Sequence, residues 1–158
     1  MKKSILLSFA IVTLLAKNSI QAQVKTTYQL NVASAQKVMA AALDYVQKVK
    51  APGGSIAIVG PGGNLILFQK IDGTFPASAG VAIEKARTAA LFQFPTQKFE
   101  DAINGGRVAL VTNGYNYLKG GLPIMYKGEF IGAIGISGSA SADQDVEIAK
   151  AGAEAKID

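Results

Sequence analysis

The sequence predicts an α+β domain, one antiparallel sheet with helices packed on it. Three observations carry that expectation. Short apolar runs return on themselves across Gly-rich turns, as Ser55–Val59 and Leu65–Lys70 do around Pro61-Gly62-Gly63-Asn64. Longer stretches place apolar residues at helical spacing. The patterns come in blocks (helix, hairpin, two helices, three strands, helix) with no internal repeat, linker or low-complexity tract.

Each element has a local reason. After a short extended lead-in at 24–30, Asn31 is placed to cap a helix running to about Val49. Val32, Ala35, Val38, Met39, Ala42, Tyr45, Val46 and Val49 give it one apolar face, and Pro52-Gly53-Gly54 ends it. The first hairpin follows, then a loop and a helix over about 79–92. Ala79, Ala82, Ile83, Ala86, Ala89 and Ala90 share a face of that helix, small enough to lie close to a sheet. Pro95 breaks it, Thr96 is expected to cap a short helix through Ile103, and Asn104-Gly105-Gly106 ends that one. Val108–Thr112 reads as a strand and 113–119 as a loop or irregular strand with two tyrosines. Gly120–Gly138 reads as a second hairpin turning at Lys127-Gly128. Its repeated glycines imply that a helix, a subunit or a flat ligand approaches the backbone, with Gly132 and Gly135 favouring packing or assembly. Ser141 and Gln144 form a capping-box pattern for the last helix, whose first turns hold Asp143, Asp145 and Glu147.

The N-terminus reads as a secretory signal peptide. Lys2 and Lys3 precede an apolar stretch from Ile5 to Ala16, followed by a more polar segment ending near Ala22. Cleavage after Ala22 would leave a single domain over 23–158, in the periplasm or outside the cell, with no stable membrane insertion. Lys2, Lys3 and Lys17 would leave with the leader, so the formal charge of +5 overstates the basicity of the domain. No basic-aromatic stripe remains, and nucleic acid is not an expected partner.

The chain has no cysteine and no histidine. Disulfides, Cys- or His-based nucleophile systems and a Ser-His-Asp triad are therefore excluded. So are the usual Cys/His zinc sites, iron–sulfur clusters and, within one chain, histidine-ligated haem.

Four segments together carry a resemblance: SIAIVGPGGNLILFQKIDG, IEKARTAALF, GGLPI with the FIGAIGISG that follows, and SADQDVEIAKAG. In order and spacing they resemble the HbpS-like, or GlcG-like, haem-binding family over nearly all of the chain from Leu30 onward. The resemblance implies a profilin-like fold with a five-stranded antiparallel sheet and assembly into homo-oligomers. It also implies haem as a possible cofactor, with slow haem degradation in some members and a sensor-protein partner in another. Lys85-Ala86-Arg87-Thr88-Ala89 matches a threonine-containing helix used by one haem-binding mode of the family, which makes Thr88 the position to carry over.

The residues themselves leave alternatives open. Tyr115, Tyr117 and Met125 read first as cover for a core edge or an interface, with iron ligand or pocket residue as the alternative. Lys85 and Arg87 are possible partners for haem propionates or another carboxylate, and equally a structural helix face. Met39 reads as core packing. Asp143, Asp145 and Glu147 fit charge complementarity at a helix end better than a metal site. The leading expectation is an exported haem-binding protein. The alternative is a non-enzymatic sensory or accessory module for an organic acid, a corrinoid or a protein partner.

Overall fold

The computed structural model describes residues 27–157. The expected leader, its cleavage point and the start of the extended lead-in lie outside these residues. Helix α1 spans Val32–Lys48, and the Asn31 side chain accepts a hydrogen bond from the Ser34 amide at 2.8 Å. Strands β1 (Ser55–Val59) and β2 (Leu65–Lys70) form the first hairpin. Helix α2 (Ser78–Phe92) and the short α3 (Gln97–Asn104) follow. Strands β3 (Gly121–Tyr126) and β4 (Glu129–Ser137) form the second hairpin, and α4 (Ala142–Ala153) closes the domain. The sheet is antiparallel, in the order β2-β1-β4-β3.

Two expectations change. The described residues form a four-stranded sheet, not a five-stranded one. The segment expected as a strand at Val108–Thr112 is a 3-10 helix over Val108–Asn113, with Val108 and Val111 exposed. Its β-branched residues suit a strand, but it has no strand partner among the described residues, and tertiary context overrides the propensity.

Side-chain size sorts the two faces of the sheet. Ile56, Ile58, Ile134 and Ile136 point toward α1 and α4, where they meet Val38, Met39, Ala42, Val46, Ile148 and Ala149. Ala57, Val59 and Ala133 alternate with them and meet Ala82, Ala86, Ala89 and Ala90 of α2. With helices on both faces, β1 is buried along its whole length, which is why it reads as an unbroken apolar run.

Glycine sets how close α2 lies. Gly121 and Gly135 are register partners on β3 and β4. A Cβ on Gly135 would run into the Ala82 carbonyl oxygen and the Ala86 amide, and one on Gly121 into the Lys85 carbonyl oxygen. Gly132 serves a different contact, against the Val59 carbonyl and Leu30. Both residues of the hairpin turn have positive φ, Lys127 at 49° and Gly128 at 80°, as a type I′ turn requires.

Thr96 does not cap α3 with its side chain. Its hydroxyl instead accepts from the Gly121 amide at 2.9 Å, while its own amide donates to the Gly121 carbonyl at 3.0 Å. The turn before α3 is thereby tied to the outer edge of β3. The Ser141 hydroxyl accepts from the Gln144 amide as expected, but the Gln144 side chain reaches the Ala140 amide, one residue outside the cap.

Candidate functional site

The C-terminal end of α2 opens onto an aromatic cluster. Phe92 meets Tyr115 edge-on with centroids 5.0 Å apart, and lies 5.0 Å from Phe99. Phe99 and Tyr117 are 4.9 Å apart, and Tyr115 and Tyr117 6.4 Å apart. Phe92 and Tyr115 are 38% and 41% exposed, so half of the cluster forms surface. Glu100, Ile103, Asn104, Val111, Tyr117 and Leu118 join Tyr115 around a cleft of about 290 Å³. Its walls are largely apolar, with one carboxylate and one amide among them.

The tyrosine loop is tied down at defined points. The Tyr117 hydroxyl donates to Asn113 Oδ1 at 2.8 Å, and Glu100 Oε2 accepts from the Lys119 amide at 2.6 Å. Lys119 Nζ pairs with Asp143 at 2.6 Å, and that carboxylate raises the ammonium pKa above its ordinary value. Gly114 and Gly120, which bracket the loop, have φ of +79° and +114°.

Thr88 lies one helical turn before Phe92 on the same helix face. It is fully buried, and among the described residues its Oγ1 has no hydrogen-bond partner. A buried hydroxyl without a partner is uncommon and calls for an explanation. The hydroxyl is not presented to solvent, so it reaches a ligand only if its cover moves.

Lys85 is placed differently from a ligand-facing cation. It is 2% exposed, donates to the Ile136 carbonyl at 2.8 Å and pairs with Asp145 at 3.0 Å. Asp145 also accepts from the Ser139 hydroxyl at 2.6 Å. Arg87 is partly exposed, pairs with Glu84 and reaches the Gly63 carbonyl at 3.4 Å. Met125 is 52% exposed on the edge strand and lines a separate groove of about 640 Å³ with Pro95, Leu122, Pro123 and Lys150. The structure thus gathers Tyr115 and Tyr117 at one end of the helix that carries Thr88 and sets Met125 apart.

Sequence reasoning missed Phe92 and Phe99, which complete the aromatic cluster. The available signal was their position on either side of Pro95, together with the Thr88–Phe92 helical spacing. It also missed the partner of Asp145. The three acidic residues at the start of α4 go to three different partners: Asp143 to Lys119, Asp145 to Lys85, and Glu147 to the Tyr45 hydroxyl at 3.1 Å.

A family model described as "Haem degrading protein HbpS-like" matches residues 30–154. The chain belongs to the HbpS-like family. It is 42% identical over 84 residues to the protein GlcG of Escherichia coli strain K12, a match covering 52% of this chain and 63% of that protein, under two thirds of the relative's length. Among solved structures it resembles the Klebsiella pneumoniae protein ORFY, with a TM-score of 0.77 and 26% identity over 86% of this chain and 96% of that one. It also resembles HbpS, with a TM-score of 0.73 and 29% identity over 85% and 96% of the two chains. Likeness to a PduOC–haem complex (TM-score 0.70, 22% identity, covering 82% and 99%) concerns the fold. The α+β architecture with an antiparallel sheet is common to this HbpS-like chain and its structural relatives.

Proposed function

We propose that this chain binds haem on the aromatic surface formed by Phe92 and Tyr115, with the buried Tyr117 packed behind them. Family membership motivates the reading, and the half-exposed Phe92–Tyr115 pair at the mouth of an apolar cleft is the observation that carries it. The residues present fit a porphyrin in three respects. Aromatic rings offer a face for the macrocycle. The Tyr115 phenol is an exposed oxygen donor of a kind that ligates ferric iron, whereas the Tyr117 hydroxyl is engaged by Asn113. The unpartnered Thr88 hydroxyl lies one turn before Phe92 on the helix and would join the site once its cover moves. Arg87 would meet a propionate by releasing Glu84, while Lys85 holds the helix in place.

Haem, once bound, would supply the redox chemistry of any degradation, and the protein would supply the face, the donor and the charge partners. Export through the N-terminal leader, with the mature protein in the periplasm or secreted, belongs to the same proposal. Among the described residues, no helix is long and apolar enough to cross a membrane. Val111 and Leu118 are exposed around the cleft beside Tyr115, which supports assembly with further copies of the chain. A sensor protein is a further proposed partner.

Haem titration of the purified protein tests the reading. A saturable Soret shift that weakens in Tyr115→Phe is expected, and an unchanged Soret band would overturn it. A chain lacking histidine and cysteine supports a second reading as an accessory module for an organic acid or corrinoid. A melting temperature raised only by a non-haem ligand would favour that reading.

A further inference from the structure

We infer that Asn113 is a site of spontaneous deamidation, promoted by the hydroxyl of Tyr117. Two Asn-Gly pairs lie close together in the chain, Asn104-Gly105 and Asn113-Gly114, and both asparagines are exposed. Glycine in second place offers the least hindered backbone nitrogen for attack on the asparagine side chain. The fold treats the two pairs differently. Asn104 is the last residue of α3, and the Gly105 amide donates to the Asp101 carbonyl at 2.8 Å. Asn113 ends the 3-10 helix, and Gly114 turns away with φ +79°; among the described residues its amide makes no backbone capping bond of that kind.

The reaction balances without any cofactor. The Gly114 nitrogen attacks Asn113 Cγ and loses its proton, and the Cγ–Nδ2 bond breaks to release ammonia. The resulting succinimide is opened by water to aspartate or isoaspartate. The sum is amide plus water giving carboxylic acid plus ammonia, with no change of oxidation state. During the attack, negative charge develops on Oδ1. That is the atom to which the Tyr117 hydroxyl donates at 2.8 Å, so the phenol stands where an oxyanion donor is needed. The Asn104 side chain has no hydrogen-bond donor recorded on it among the described residues.

The product places a negative charge against the tyrosine loop, and the isoaspartate form adds a backbone atom to it. The inference stands without the haem reading, because its readout is mass alone. The full-length purified protein is held at mildly alkaline pH, then digested, and the two Asn-Gly peptides are followed by mass spectrometry with isoaspartate detection. Asn113 is expected to convert several-fold faster than Asn104 in the native protein, with the two rates converging in urea. Tyr117→Phe is expected to slow Asn113 several-fold, and Tyr115→Phe to leave it unchanged. Equal native rates at the two asparagines, or an unchanged or faster rate in a Tyr117→Phe protein with a native circular-dichroism spectrum, would overturn the inference.

Discussion

Lys85 on α2 and Asp145 on α4 meet at 3.0 Å across the end of the sheet, with only 3% and 7% of their side chains exposed. The two helices lie on opposite faces of the sheet, so the pair joins the layers past the start of β3. Gly120 makes the passage possible: a Cβ there would sit 3.1 Å from Lys85 Nζ and 3.0 Å from the Asp145 side chain. Every polar atom at the junction is answered, by the Ile136 carbonyl for the ammonium and by Ser139 for the carboxylate.

Removing one member of this pair leaves a buried charge alone. Lys85→Ala and Asp145→Ala are each expected to lower unfolding free energy by about 3–5 kcal/mol. Lys85→Met combined with Asp145→Leu should recover much of that loss, because an apolar pair needs no solvation. Urea denaturation of the three variants measures both effects. A single substitution with no effect would show that water reaches the junction.

Thr88 separates stability from ligand binding. Thr88→Val keeps the shape and removes a buried hydroxyl that has no partner, so it is expected to raise stability by about 1 kcal/mol. If the hydroxyl meets a bound porphyrin, the same variant shifts or weakens the Soret band while melting at a higher temperature. Thermal unfolding and haem titration on one preparation give both numbers.

Gly135 tests the helix–sheet seam. Any side chain there collides with the backbone of α2 at Ala82 and Ala86, which cannot move as a flexible side chain does. Gly135→Ala is expected to lower stability by about 3 kcal/mol, at the upper end for overpacking. Gly80→Ala is a control for added bulk, because open space surrounds its Cβ position and its backbone is not in the positive-φ region.

Tyr45 gives a pH signature. Its hydroxyl donates to Glu147, and that hydrogen bond, followed by burial and the carboxylate charge, raises the phenol pKa above its ordinary value. The group's folded pKa exceeds its unfolded one, so its contribution to stability is complete below the unfolded pKa. It is lost as pH rises through the folded pKa. Tyrosinate absorbance in the native protein should therefore include a late-titrating component that disappears in Tyr45→Phe and moves earlier in Glu147→Gln.

Much of this molecule is legible in its sequence because the signals are local. Asn31 and Ser141 announce helix starts through their own side chains, and Lys127-Gly128 announces a turn through the φ values it tolerates. The alternation of isoleucine with alanine and glycine along β1 and β4 states which face is thick and which is thin. The family could be recognised from the order and spacing of four such segments.

What the tertiary structure decided is everything that depends on a distant partner. Val108–Thr112 has the composition of a strand, yet no neighbouring strand receives it and it coils into a 3-10 turn. Thr96 looks like a helix cap, yet the edge of β3 claims its hydroxyl. Lys85 has the sequence appearance of a ligand cation, and only the arrival of Asp145 from 60 residues away makes it a buried link between layers. Phe92, Phe99, Tyr115 and Tyr117 become one cluster only because α2, α3 and the tyrosine loop converge there. Hydrophobic period and turn chemistry act over a few residues and are written in the chain. Desolvated charge and aromatic contact depend on which segments meet, and that is settled only when the layers pack.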